Sequence, residues 1–178
     1  MPIIRMLAVA VVAAGLSVNA VADEASLDGV TWYYSVADGK ATVTNASPAV
    51  GALSVPAQLA GRPVKAIGEG AFSACAGITA IELPAGLTEI RAAAFEDCTS
   101  LSTVTLSAGL TNIADNAFNR CSSLTTITIP AGVTAFGKDA FGSCTNLTAR
   151  FLGPPPSGLG NGISEKATII YTLMHAEA

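Results

Sequence analysis

Charge is scarce in this chain. Of its 178 residues only 12% are Asp, Glu, Lys or Arg, and only 6% are aromatic, with a single Trp. The net charge is −4, and no basic face of the kind that neutralises phosphates stands out, so nucleic acid is not an expected partner. One histidine, His175, sits near the end of the chain in a tail expected to fray. A Ser-His-Asp or Cys-His arrangement therefore has no ordered base to build on. Beyond residue 22 no apolar run is long enough to cross a membrane as a helix. Half of the residues are nonetheless apolar, which is too many for a disordered chain. The chain has to fold around a core, under a surface of Ser, Thr, Ala, Gly and Asn.

The first 22 residues read as an export signal. Arg5 is the positive residue ahead of an uncharged stretch, Leu7 to Leu16, rich in Ala and Val. Ala20-Val21-Ala22 puts small residues where signal peptidase needs them, and Asp23-Glu24 then begins the mature chain. Loss of Arg5 leaves eight basic residues against thirteen acidic ones, so the mature chain is slightly more acidic. The expected location is secreted, periplasmic or bacterial cell surface, with no membrane span once the signal is removed.

The remainder is governed by a repeat. Cys75, Cys98, Cys121 and Cys144 follow one another at intervals of 23 residues, and Phe72, Phe95, Phe118 and Phe141 keep the same interval. So do Ala71, Ala94, Ala117 and Ala140, and the columns that begin at Ile67, Ile78, Ile81, Leu83 and Leu87. A unit of this length cannot bury its own Phe, Ile and Leu. Neighbouring coils have to stack and share one continuous core. Within a unit, Ile127-Thr128-Ile129 alternates in the manner of a half-buried strand, and its β-branched residues suit one. Pro84 and Pro130 end the strand because proline has no N–H for a ladder, and Ala-Gly then turns the chain. The Ala-Phe-x-x-Cys limb is expected to form a short helical or 3₁₀ turn opposite the strand.

The pattern Leu-Thr-x-Ile-x-Ile-Pro-x-Gly-Val-Thr-x-Ile-x-x-x-Ala-Phe-x-x-Cys resembles the BspA-like leucine-rich repeats of bacterial surface and secreted proteins. Asp28-Gly29-Val30-Thr31-Trp32-Tyr33-Tyr34, followed by Asp38-Gly39-Lys40, is similar to the β-hairpin that often opens such proteins. The resemblance covers roughly residues 28–152. It implies an α/β repeat: a curved leucine-rich-repeat solenoid with a parallel sheet on one face, short helical turns on the other, and an N-terminal β-hairpin cap. It also implies adhesion or protein binding, and it carries no catalytic residues. The expected organisation is a signal peptide over 1–22, the hairpin cap over 23–52, repeats over 53–152, and a degenerate C-terminal cap and tail over 153–178. The segment from Gln58 to Val64 is longer than its counterparts and should bulge as a loop. Arg150 falls where Ile81, Val104 and Ile127 fall, so its strand must slip, fray or face solvent.

The four cysteines allow two readings. Adjacent rungs lie about 5 Å apart, which is within reach of a disulfide for Cys75–Cys98 and Cys121–Cys144. Stacked side chains point in parallel, however, which makes the disulfide torsion awkward and favours buried thiols. Outer sulfurs roughly 15 Å apart at that spacing cannot share a structural zinc ion, so no metal or cofactor is expected. The carboxylates of Glu69, Glu89, Glu96, Asp97, Asp115 and Asp139 are scattered over turns and read as solvated charges, so no enzyme is expected. The candidate binding face is the outward side of the strands: Glu82, Thr103, Thr105, Thr126, Thr128 and Phe151. It lacks the Trp, Tyr and Arg that dominate binding hot spots, Arg150 aside. Two functions fit: an exported module that binds a protein or glycan or adheres to a surface, or a structural or truncated family member with no dedicated ligand.

Overall fold

A computed structural model describes residues 23–172; the export signal expected at 1–22 and the tail at 173–178 lie outside the described residues. The chain opens with β1 (Asp23–Leu27), β2 (Val30–Ala37) and β3 (Lys40–Ser47), an antiparallel meander with one strand more than a hairpin. Asp28-Gly29 and Asp38-Gly39 make its two turns, each with positive φ at both residues. That backbone twist matches paired strands and is tolerated by Asp and Gly. Trp32 and Tyr34 on one side of β2 are buried, and β3 runs parallel to the first coil's β6 (Arg62–Ile67).

Each coil then contributes two strands. One column comprises β4 (Gly51–Ser54), β7 (Ile78–Glu82), β9 (Thr103–Thr105), β11 (Thr126–Ile129), β13 (Thr148–Phe151) and β14 (Thr168–Tyr171). The other comprises β6, β8 (Glu89–Ile90), β10 (Asn112–Ile113) and β12 (Ala135–Phe136), all parallel with Ile67, Ile90, Ile113 and Phe136 in register. The solenoid therefore carries two parallel strand columns where one was expected. The second forms because Ile67 and its counterparts point inward on a segment whose preceding carbonyl accepts from the next coil, as in Thr88 N–H to Lys65 O at 2.9 Å and Thr111 N–H to Thr88 O at 3.0 Å. The long Gln58–Val64 segment is a small hairpin, β5 (Gln58–Leu59) against β6, turned by Ala60-Gly61.

The third limb, expected to form a short helical or 3₁₀ turn, is a succession of turns closed by bonds three residues back, without a continuous helix. The amides of Ala71, Ser73 and Cys75 bond three residues back within the coil, while those of Gly70, Phe72 and Ala74 bond to Ala92, Ala94 and Glu96 of the next coil. A helix needs every amide for itself, so sharing alternate amides with a neighbour rules it out. The backbone reaches this geometry through left-handed residues at 23-residue intervals, Ala74, Asp97, Arg120 and Ser143, with a second set at Gly70, Ala93, Asn116 and Asp139. Among the described residues the sole α-helix is the four-residue α1 (Leu159–Gly162).

The core is the stack itself. Phe72, Phe95, Phe118 and Phe141 are fully buried, with successive ring centroids 5.2, 5.0 and 5.1 Å apart and planes within 8° of parallel. Ile, Leu and Val files run alongside. Cys98, Cys121 and Cys144 each donate S–H to the Phe carbonyl of the preceding coil, at 3.1, 3.2 and 3.2 Å. All four cysteines are free, and Cys75, with no such partner, is half-exposed.

Candidate functional site

The strand face is built by alternation. Val104 and Ile127 point inward, which leaves Thr103, Thr105, Thr126 and Thr128 outward on β9 and β11, and Glu82 outward on β7. Register completes one row across the coils: Ser54 lies opposite Glu82, Glu82 opposite Thr105, and Thr128 opposite Arg150. The row thus runs from an acid on one flank, through two threonines, to a base on the other.

Phe151 does not belong to this face. The pairing of β11 with β13 sets Ile127 against Ala149 and Ile129 against Phe151, an offset of 22 residues where β7 and β9 keep the repeat interval of 23. The missing residue moves Phe151 to the inward row, where it is fully buried and its ring centroid lies 5.9 Å from that of Phe136. A shift of one residue reverses every side chain of a strand. The same shift carries Arg150 outward, so of the outcomes open to it the strand slips. Arg150 is the face residue that spacing alone misplaces, and its charge in an apolar column is the signal that exposes the slip.

The face is interrupted. β4, β7 and β9 form one three-stranded sheet and β11, β13 and β14 another, with no ladder between β9 and β11. A cleft of about 410 Å³ lies along this break, lined by Thr103, Thr105, Thr126 and Thr128, with Leu106, Pro130 and Leu152 toward one end. The coil beneath is looser there. Val104 is 9% exposed against 2% for Ile81 and 3% for Ile127, and Leu106 is half-buried where Leu83 and Ile129 are buried. The sequence differs beside the break at Ser107, which stands where neighbouring coils have Pro84 and Pro130. Its Oγ donates to Ala85 O at 2.8 Å and accepts from Gly109 N–H at 3.2 Å. That side chain ties the end of β9 to the preceding coil.

Thiol chemistry is suppressed at the cysteine file. Burial pushes the Cys98 thiol from 9.0 up to about 12 and that of Cys144 up to about 11, and raises Cys121 as well. The thiolate is the nucleophile and metal-binding form, so these sulfurs act as core atoms.

With this geometry in hand, the comparisons with known proteins are specific. The profile of the BspA type leucine rich repeat region matches residues 60–156 in six copies. The chain belongs to that family, a family of repeat scaffolds. No curated protein matches the chain. Among solved structures it is similar to the T. pallidum leucine rich repeat protein, at 26% identity and a TM-score of 0.66, over 79% of this chain and 62% of that one. A leucine rich cell surface protein from Faecalibacterium prausnitzii gives the same identity and TM-score over 85% of this chain and 40% of its own. A leucine-rich repeat protein from Bacteroides capillosus is 26% identical at a TM-score of 0.58, over 84% of this chain and 99% of that one. The chain thus spans less than two thirds of the length of the first two. Among the described residues no helix is long and apolar enough to cross a membrane.

Proposed function

We propose that the chain is an exported, non-enzymatic interaction module that binds a protein or glycan partner, or adheres to a surface, through its exposed strand face. The observation that carries this reading is the row from Glu82 through Thr105 and Thr128 to Arg150, whose two halves are each held by a parallel ladder, β7 to β9 and β11 to β13, over one stacked core. A surface of fixed backbone and short side chains loses little conformational freedom on binding. Export is supported by the sequence of residues 1–22 and by the likeness to a protein described as a cell surface protein. The chain at 23–178, immobilised and exposed to surface-protein extracts and a glycan array, should show saturable binding that Glu82→Arg or Arg150→Glu weakens at least fivefold. Absence of any saturable partner at high concentration would sink the reading. The rival, a structural member with no dedicated ligand, draws support from the small side chains of the face. It requires Thr105→Tyr and Thr128→Tyr to leave every cellular readout unchanged.

A further inference from the structure

We infer that the open edge of β14 pairs antiparallel with β14 of a second copy of this chain, about a twofold axis at Ile170, and so joins two solenoids end to end. Such a dimer is independent of whether the strand face has a ligand.

The strands that end a sheet are not equally open to pairing. β9 and β11 face each other, and β12 is bridged by Ser157. β1 carries Asp23 and Glu24. β4 begins at the left-handed Gly51 with a register shift beside it, and lies between Pro48 and Pro56. Charge, bulges and proline are the usual defences of a free edge. β14, Thr168-Ile169-Ile170-Tyr171, has none of them. The core differs in the same way at its two ends. At one end the antiparallel meander supplies Trp32 and Tyr34, and Leu53 of β4 is buried. At the other, Ile169 and Tyr171 continue the files of Ala149 and Phe151 yet are 38% and 39% exposed, with Ile170 outward at 44%. The Tyr171 ring lies with its centroid 5.4 Å from that of Phe151, so this inward row extends the core and leaves it half in water.

Register selects the partner. Thr168 and Thr172 donate N–H to Leu147 O and Phe151 O, at 2.8 and 3.0 Å. Alternate residues of a strand bond to opposite sides, so Ile169 and Tyr171 turn their N–H and C=O groups to the open edge. An antiparallel copy centred on Ile170 sets Ile169 against the second copy's Tyr171 and Tyr171 against its Ile169, which bonds all the open groups of both edges. The two Ile170 side chains then meet at the axis as a non-hydrogen-bonded pair, where cross-strand side chains lie closest. An axis at Ile169 would instead oppose Tyr171 to Ala167, whose amide already bonds to Ser164 O. The inward rows run one into the other, so both core ends close at once, and pairing of this isologous kind stops at two copies. No charge lies on β14, so two acidic chains meet there without like charges opposed. A return of the chain onto its own edge would have to turn within Thr172-Leu173-Met174-His175, which lacks the Gly, Asn, Asp and Pro of tight turns. With the axis normal to the sheet, both rows from Glu82 to Arg150 lie on the same side, and the dimer presents two faces to one surface.

The test follows the mass of the chain at 23–178 by sedimentation equilibrium over rising concentration. A monomer–dimer equilibrium with no larger species is expected. Ile170 is exposed, so a charge there leaves the fold of the single chain intact, as circular dichroism and the urea midpoint would verify. Ile170→Lys and Ile170→Glu should each weaken the dimer at least tenfold, by opposing like charges at the axis. An equimolar mixture of the two variants should form mixed dimers within about threefold of the parent's strength, because the axis sets position 170 against itself. Should a charged variant lower the midpoint, Ile170→Thr removes the apolar contact alone and is expected to weaken the dimer about threefold. Val50→Lys, at the exposed apolar residue beside β4, should change it less than twofold. The amides of Ile169 and Tyr171 should exchange freely in dilute protein and at least tenfold more slowly where the dimer dominates. Protection of both amides at every concentration would give the edge to the chain itself and overturn the pairing. So would a monomer at the highest soluble concentration, growth past two copies, loss of the dimer on Val50→Lys, or failure of the mixed charges to restore it.

Discussion

The same coils build two strand columns, and only one of them is continuous. From β3 through β6, β8, β10 and β12 the inner column is an unbroken ladder, although its coil strands after β6 are only two residues long. The outer column has longer strands and more β-branched residues, yet it parts between β9 and β11. Strand propensity therefore does not decide continuity here. What differs is how the chain leaves each strand. Residues after the inner strands are bonded to the preceding coil, Arg91 N–H to Ile67 O and Ala114 N–H to Ile90 O, and lead directly into the Phe-Cys limb with its shared amides. Most outer exits are bonded across coils as well, Leu83 N–H to Thr105 O and Leu152 N–H to Ile129 O, but after β9 the turn begins at Ser107, whose side chain bonds to the preceding coil alone. A solenoid holds where both neighbours claim the same segment and opens where one of them lets go.

That contrast predicts unequal costs for equal deletions. Phe118→Ala removes a ring from the middle of the stack, on the limb whose amides are shared between coils, and should cost about 3–5 kcal/mol. Leu106→Ala, at a half-buried site beside the break, should cost about 1–2 kcal/mol, because less surface is lost and the site already has room to relax. Urea midpoints at constant slope would measure both. Equal losses would mean that the two sides are packed alike, and the contrast would fail.

The cysteine file sharpens the same point by pH. In the fold Cys98 and Cys144 hold their protons to about 12 and about 11, against 9.0 for an ordinary thiol. Between those values the folded state binds more protons than the unfolded one, so stability falls as pH rises. The loss should be nil below about pH 8 and then approach 1.4 kcal/mol per pH unit for each buried thiol that titrates on unfolding. Replacing Cys98, Cys121 and Cys144 together by Ala should lower stability at neutral pH and flatten the profile from pH 9 to 11. An unchanged slope would show that the thiols are not shielded.

Much of this was legible in the sequence, and the exceptions have physical causes. The 23-residue interval fixes which side chains form files, and Phe72, Phe95, Phe118 and Phe141 do stack. The outward threonines of β9 and β11 follow from alternation. Phe151 was misassigned because the interval shortens by one residue after Leu147, and only the cost of burying Arg150 betrays the slip. The turn limb was expected as a short helical or 3₁₀ turn; that it does not wind into a continuous helix is decided by amides shared between coils, which no single unit displays. The break at β9 was hidden for a similar reason. Thr103-Val104-Thr105 and Thr126-Ile127-Thr128 look alike, and only Ser107 in the proline column marks the difference.

Ser107 is accordingly the place to alter the contrast directly. Ser107→Ala removes the bond to Ala85 O and should cost about 1 kcal/mol, a typical net value for one hydrogen bond. If this tie is what draws β9 from β11, the amide of Thr128 should also exchange more slowly in the variant. Faster or unchanged exchange there would assign the break to another cause.

The smallest expected effect lies at the turn that precedes the first full coil. Among the described residues three tight hairpin turns occur, at Asp28-Gly29, Asp38-Gly39 and Ala60-Gly61, and all six residues have positive φ. Asp is among the residues that tolerate the left-handed region; Ala gains nothing from its side chain there. Ala60 is exposed, so its replacement disturbs no packing. Ala60→Asn should therefore stabilise the chain by about 0.5–1 kcal/mol, read as a higher urea midpoint, while Ala60→Val, β-branched, should destabilise it by more than that. A neutral result for Asn with a loss for Val would place the strain in the side chain's branching. Losses for both would mean that this hairpin does not hold the type I′ turn in solution. The join between the antiparallel meander and the parallel coils would then be looser than either region it connects.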